Sequence, residues 1–298
     1  MKILFIGKVK FSEEILKYIL TQGIKISGII TDKKKGINSD FSNLTKTFKN
    51  FQIPLHITSE VNSKRTIDWI VRNNPDIILC IGWSQLIKKK ILSIPKIGVI
   101  GYHPAKLPQN RGRHPIIWTL ALGLKSTAST FFLMDEGADT GKIISQKKII
   151  VSDNYNAISL YNKLISAAKK QVIKIINDIK INKHKLKFKL EKKNQNSNFW
   201  RKRFFSDGKI DWRMNSNSIH NLVRALSYPY PGAFFLRNGI QFNVWKTKIS
   251  KLKEKPNIEP GKILSVSKKN FVTIKCGKGS IILESISPKT TYKKGEYL

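Results

Sequence analysis

The chain has 298 residues, 41% of them hydrophobic and 25% charged. That suits one large or two moderate globular domains and excludes a fibrous or disordered protein. Lys and Arg total 55 against 19 Asp and Glu, a formal charge of +36. The excess has two readings: a footprint for phosphates, from tRNA to a sugar diphosphate, or a biased composition, because Lys, Ile and Asn are abundant throughout. Cys80 and Cys276 each end an apolar run and read as buried, reduced thiols, without a disulfide framework or a metal-ligand cluster. The first apolar run is too short for a signal peptide, and none approaches the ~18 residues of a membrane span. The expectation is a cytoplasmic protein with no metal and no membrane partner.

In chain order, residues 2–6 read as a buried strand. Ser12 reads as the N-cap of a helix towards Gln22, with Glu13 and Glu14 in its first turn. Residues 24–30 and 54–58 read as strands, 64–72 as a helix stopped by Pro75, and 76–81 as a continuous apolar strand. A short helix is expected over 85–92, a strand over 98–103 and a helix over 115–122. Strands near 129–134 and 142–151 precede a long helix, on which Ile158, Tyr161, Leu164, Ile165, Ala168, Val172, Ile175, Ile176 and Ile179 keep helical spacing. This alternation predicts a Rossmann-like, mostly parallel sheet with helices on both faces. Residues 181–205 read as a linker. Beyond it, a helix over 216–226 and short strands over 233–236, 241–245, 262–266, 271–275 and 280–286 predict a small OB-like β-barrel. The domain boundaries are therefore 1–180, 181–205 and 206–298.

The chemistry concentrates between Gly98 and Gln146. That stretch holds Gly101-Tyr102-His103-Pro104-Ala105-Lys106-Leu107-Pro108, Asn110-Arg111-Gly112-Arg113-His114-Pro115 and Met134-Asp135-Glu136-Gly137-Ala138-Asp139-Thr140-Gly141. A histidine at the carboxyl edge of a sheet can move protons near neutral pH, and a carboxylate beside it can orient the ring. His103 and Asp139 are the candidates; the plain alternative is a structural histidine and a turn aspartate.

These segments resemble the folate-dependent formyltransferase family, through His-Pro-x-x-Leu-Pro at His103 to Pro108 and Asp-x-Gly-x-Asp-x-Gly at Asp135 to Gly141. Further on, Asp211-Trp212, Val223-Arg224-Ala225 and Pro229-Tyr230-Pro231-Gly232-Ala233 are similar to the family's C-terminal domain. The resemblance implies transfer of a formyl group from 10-formyltetrahydrofolate to an amine, with no metal. It implies catalytic roles for His103 and Asp139. Trp83, Ser84, Gln85, Leu86, Ile87, Gly137, Ala138 and Asp139 would bind the folate. Tyr102, Pro104, Lys106, Arg111 and Arg113 would meet the acceptor.

One departure stands out. The family pattern reads Asn-x-His, its amide helping to hold the formyl oxygen, whereas here the triplet is Gly101-Tyr102-His103. Losing such a donor costs about 10²–10³ in rate unless it is replaced. Asn110 is a candidate replacement; a backbone N–H, a different oxyanion arrangement or a non-catalytic site are the others. The Arg-Gly-Arg loop is similar to that of the amino-sugar-nucleotide enzymes, making a nucleotide-linked amino sugar the expected acceptor. Met-tRNA is the alternative, and a non-catalytic folate- or RNA-binding homologue the third. Trp118 reads as core, and Phe199-Trp200-Arg201-Lys202-Arg203 as a linker anchor with Trp200 buried.

Overall fold

The computed structural model describes residues 1–34, 39–182, 185–188, 196–253 and 256–298. Residues 183–184 and 189–195 of the expected linker lie outside them. Two compact units emerge. One takes residues 1–115, 127–149 and 162–200; the other takes 116–126, 150–161 and 201–298. The second unit thus draws in two short pieces from before residue 180, which no composition shift announces.

The first unit is built on β1 (Ile3–Ile6), β2 (Gly28–Thr31), β3 (Leu55–Ile57), β4 (Ile77–Cys80), β5 (Gly98–His103), β7 (Ser126–Leu133) and β8 (Ile143–Ile150). Their order is β3-β2-β1-β4-β5-β7-β8. Strands β1 to β5 run parallel and β7 runs antiparallel to β5. Two short strands, β6 (Arg111–Gly112) and β9 (Phe199–Trp200), pair only with each other. β1, β2 and β4 are buried along their whole length, which is why their sequences are unbroken apolar runs.

Alternation along β5 puts Val99, Gly101 and His103 on one face and Tyr102 on the other. The His103 face is covered by α3 (Lys64–Asn73) and the one-turn α4 (Lys89–Leu92). Their Ile67, Ile70, Ile91 and Leu92 pack with Leu4, Ile6, Ile78 and Val99. The Tyr102 face takes α1 (Lys10–Thr21), whose Phe11 ring stacks on Tyr102 at 4.6 Å. It also takes α6 (Ala157–Ile181), where Lys169 pairs with Glu14 of α1 at 2.9 Å and Gln171 donates to the Ser129 carbonyl at 3.1 Å.

Two expectations shift. Helix α1 begins at Lys10, so Ser12 is inside it rather than capping it. The Ser12 hydroxyl accepts from the Val9 N–H and donates to the Ile81 carbonyl at 2.5 Å, a tertiary bond no local signal encodes. Over 85–92 only α4 is helical, because residues 85–88 are bonded to a neighbouring loop instead. α2 (Leu44–Thr47) and α5 (Pro115–Ala121) are short.

The second unit carries α7 (Ser216–Leu226) and a five-stranded antiparallel sheet of β10 (Ala233–Arg237), β11 (Ile240–Ile249), β12 (Ile263–Val266), β13 (Val272–Lys275) and β14 (Ser280–Ser287). Its order is β10-β11-β14-β13-β12. Phe235 is sandwiched between Trp212 and Phe242. Trp118 is only half-buried rather than core: its indole N–H donates to the Arg201 carbonyl, and the Arg203 guanidinium lies 4.6 Å from its ring centre. Trp200 is buried, as the linker-anchor reading expects.

Candidate active site

The sheet order reverses between β1 and β4, the place where open α/β sheets bind ligands beyond their carboxyl ends. Gly7 follows β1 there, and a side chain on it would collide with the Ile81 carbonyl and Ser12, both at 2.6 Å. Gly82 follows β4, and His103 ends β5 one strand further out.

His103 is 4% exposed. Its Nδ1 lies 3.4 Å from Asp139 Oδ2, and its Nε2 lies 2.7 Å from the Asn110 carbonyl oxygen. Carboxylate and carbonyl oxygens can only accept, so both ring nitrogens face acceptors. Asp139 Oδ2 also accepts the Gly112 N–H at 3.0 Å. The histidine, the aspartate and the Arg-Gly-Arg loop are therefore one bonded cluster, although 36 residues of chain separate His103 from Asp139.

Both loops are held by groups outside the motifs. Thr127, Thr130 and Gln146 donate from β7 and β8 to the carbonyls of Pro104, Ala105 and Leu107 at 3.3, 2.7 and 2.9 Å. Asp135 accepts from the Gly137 N–H and from the Thr140 hydroxyl at 2.5 Å, closing the turn that carries Asp139 at φ 58°. Gly141 has no alternative: a Cβ there would lie 1.7 Å from the Leu133 carbonyl oxygen. The Asp-x-Gly-x-Asp-x-Gly spacing is thus a steric and hydrogen-bonding requirement of the hairpin between β7 and β8.

Position 101 is not an opening. Gly101 faces Phe132 across the β5–β7 pair, and a Cβ on it would sit 2.8 Å from both the Phe132 ring and the Met134 side chain. The Phe132 ring and the Met134 side chain cover the glycine. Asn110 enters the cluster through its backbone: at φ 62°, its N–H donates to Asn198 and its carbonyl accepts from His103.

The expected acceptor residues divide. Arg113 donates to the Ser84 carbonyl at 2.9 Å, and the Arg111 Nε is buried without a partner. Lys106 is exposed and Pro104 half-buried. Tyr102 points to the opposite face of the sheet, packed between Phe11 and Phe131 with its hydroxyl bonded to Ser129. Burial pushes that phenol above its ordinary range. Tyr102 therefore supports β5 from behind and does not reach the His103 face.

The expected folate residues gather around the turn after β4. Trp83 keeps its indole N–H buried and unpartnered, with Lys8 5.2 Å over its ring. Gln85 is a latch: it accepts from the Val61 N–H and donates to the Ser59 carbonyl. Asn62 completes it, donating to the Leu86 carbonyl and accepting the Lys88 N–H, both at 2.9 Å. The latch holds Leu86 and Ile87 along a cavity of about 820 Å³ shared with Ile67, Lys64 and Glu136. Gly137 and Ala138 lie in the turn before Asp139.

The sequence model of the formyl transferase family matches residues 1–176, and that of the formyl transferase C-terminal domain matches 205–295. The chain belongs to the formyl transferase family. This formyltransferase is 31% identical to the methionyl-tRNA formyltransferase of Clostridioides difficile, over all of this chain and 96% of that protein. It is 33% identical to the bifunctional polymyxin resistance protein ArnA of Wigglesworthia glossinidia brevipalpis, over 93% of this chain but only 41% of that protein's length. Its fold is shared with WlaRD, a sugar 3N-formyl transferase solved with dTDP and 5-N-formyl-THF: TM-score 0.70, 23% identity, 97% of this chain and 99% of that one. The N-formyltransferase from Helicobacter canadensis, solved with folinic acid and dTDP-3-aminofucose, matches with TM-score 0.67 and 21% identity over 95% of this chain and 98% of that one.

Within the described residues of this formyltransferase, no cluster of His, Cys, Asp and Glu could hold a metal, and no helix is long and apolar enough to cross a membrane. Burial pushes the Cys80 and Cys276 thiols up to about 12, so neither is a nucleophile near neutral pH. Sequence reasoning missed Asn62, Thr130 and Gln146. Each acts across more than twenty residues through one or two polar bonds, which leaves no periodic or spacing signal.

Proposed function

We propose that the chain is a 10-formyltetrahydrofolate-dependent N-formyltransferase acting on the amine of an amino-sugar nucleotide. The observation that carries the acceptor reading is Arg111. Its Nε is a buried donor without a partner, in a loop whose Gly112 N–H is bonded to Asp139. An orphaned buried donor costs about 1–3 kcal/mol, so the site is completed by an anionic group such as a diphosphate. The apolar floor at Leu86, Ile87 and Ile67 suits a pteridine and benzoyl group, and the buried indole N–H of Trp83 supplies a further donor.

The folate supplies the formyl group. Asp139 holds His103 by Nδ1, leaving Nε2 as the working end. The Asn110 carbonyl occupies that end, and an incoming substrate oxygen or amine takes its place as the loop yields. His103 then donates to the oxygen that gains negative charge, or relays the proton the amine gives up. The Asn110 side-chain amide, one residue from Arg111, is the candidate second donor. Pro104, Lys106, Arg111 and Arg113 frame the acceptor. Met-tRNA is the second reading, favoured by the full-length identity to the C. difficile methionyl-tRNA formyltransferase.

The test is a formylation assay with 10-formyltetrahydrofolate against dTDP-, UDP- and GDP-linked amino sugars and initiator Met-tRNA. Turnover on a sugar nucleotide supports the proposal; turnover on Met-tRNA alone sinks it. His103→Asn is expected to lower kcat by about 10²–10⁴, and Asp139→Asn to lower it comparably by releasing the ring. Near-normal rates in both would overturn the assignment of the pair.

A further inference from the structure

The loop over 110–113 hangs on strand β9. All four of its successive backbone N–H groups are committed. Asn110 donates to the Asn198 side-chain oxygen at 2.8 Å, Arg111 to the Asn198 carbonyl at 3.1 Å, Gly112 to Asp139 at 3.0 Å and Arg113 to the Trp200 carbonyl at 2.9 Å. Three of these acceptors belong to residues 198–200, in a stretch whose sequence reads as linker. The fit is close: a Cβ on Gly112 would lie 2.4 Å from the Trp200 carbonyl oxygen. Of the three, only Asn198 Oδ1 belongs to a side chain, and it holds the residue whose carbonyl meets His103.

That carbonyl oxygen is 2.7 Å from His103 Nε2. A water bonded to Nε2 would need the same place, so carbonyl and water exclude one another. The two differ in chemistry. Water has a proton to give up and so becomes a nucleophile, whereas a carbonyl oxygen has none and is inert. Asn110 stands at φ 62°, a left-handed conformation that residues with a side chain seldom adopt, and one that the bond to Asn198 holds from outside.

We infer that Asn198 is a positioning residue that decides between amine and water at the formyl donor. By latching Asn110 it keeps the carbonyl on His103 until an acceptor displaces it, and so suppresses hydrolysis of the donor while no acceptor is bound. Keeping water from a reactive group is a general task of active sites. This rests on the reading of His103 as the working group and of 10-formyltetrahydrofolate as the donor. In the suppressed reaction the water oxygen bonds the formyl carbon and the bond from that carbon to the folate nitrogen breaks. One water proton passes through His103 to that nitrogen. Tetrahydrofolate leaves, and the second proton departs with formic acid, which ionises to formate.

The test compares the unaltered chain, Asn198→Ala and Asn198→Asp for tetrahydrofolate released from 10-formyltetrahydrofolate without any acceptor, above the protein-free rate. Losing a hydrogen bond of ordinary net strength shifts a population roughly two- to tenfold, and hydrolysis follows the uncapped fraction of His103. Asn198→Ala should therefore hydrolyse the donor roughly two- to tenfold faster. Asn198→Asp keeps an oxygen facing the Asn110 N–H and should stay near the unaltered rate. Adding His103→Asn to Asn198→Ala should abolish the gain. The Asn198 side chain is exposed, so these changes leave the core intact. Hydrolysis in Asn198→Ala no faster than in the unaltered chain, or a gain that survives His103→Asn, overturns the guarding role of Asn198 while leaving the formyl-transfer reading intact. If the unaltered chain forms no formylated product with any acceptor, that reading fails and takes this inference with it.

Discussion

His103 lies between two acceptors, and the consequence is that its position is set by groups rather than by packing alone. Asp139 and the Asn110 carbonyl fix the ring from both sides. Position 101 is settled differently, by sterics. With Phe132 and Met134 both 2.8 Å from a would-be Cβ, restoring the family amide means overpacking the β5–β7 pair. Gly101→Asn is therefore expected to destabilise the fold by about 1–3 kcal/mol and to bring no gain in formyl transfer. Thermal denaturation alongside the formylation assay checks this; a gain in rate at unchanged stability would show that the amide is accommodated. At position 101 itself, Phe132 and Met134 occupy the room such a side chain would need.

At the scale of elements, the working loops are braced by polar side chains on neighbouring segments. Thr130 and Gln146 hold the His103–Pro108 loop, and Asn62 and Gln85 hold the turn over 85–88. Removing one partner leaves a carbonyl or N–H without its bond. Thr130→Val, which conserves shape but orphans the Ala105 carbonyl, should cost about 1–3 kcal/mol in denaturant unfolding. Asn62→Ala should act on binding more than chemistry: the donor KM rises several-fold while kcat changes little, because Leu86 and Ile87 lose their fixed frame. An unchanged donor KM would mean that the 85–88 turn stands without the latch. The rest of the sheet was legible from sequence: unbroken apolar runs marked β1 and β4, and the helical stripe marked α6. The turn over 85–88 reads as helix in the sequence, but its backbone bonds to the Asn62 side chain 24 and 26 residues away, which no local pattern records.

For the molecule as a whole, a large positive charge makes its few carboxylates matter. Glu13 is buried and held by Lys17, Ser42 and Lys10, which outweigh burial and bring its carboxyl down to about 2. Asp211, held by Arg213, lies at about 2, and Asp207, held by Arg201, lies well below its ordinary range. A carboxylate depressed in the folded state binds fewer protons than in the unfolded chain. Its stabilisation is present above the unfolded value, near 4.5 for glutamate, and is lost as pH falls towards 2. Melting temperature should accordingly drop across that window. Glu13→Gln should lower it at neutral pH and flatten the pH dependence, Glu13 accounting for about 1–3 kcal/mol. Parallel curves for the two proteins would show that the Glu13 network does not set acid stability.

The sequence by itself determined the alternating α/β architecture, the antiparallel second unit and the family. It also singled out His103, Asp139 and the Arg-Gly-Arg loop, which the structure brings side by side. All of these rest on local information: hydrophobic period, turn glycines and short motifs read in order. Only the tertiary structure decided which side of β5 each residue serves. Tyr102 turns away while His103 turns in, and Phe132, packed across from Gly101, closes the place where an amide would stand. Those outcomes depend on which strand pairs with which, and in what register. A single residue's shift would exchange the two faces of β5, and with them the histidine and the tyrosine.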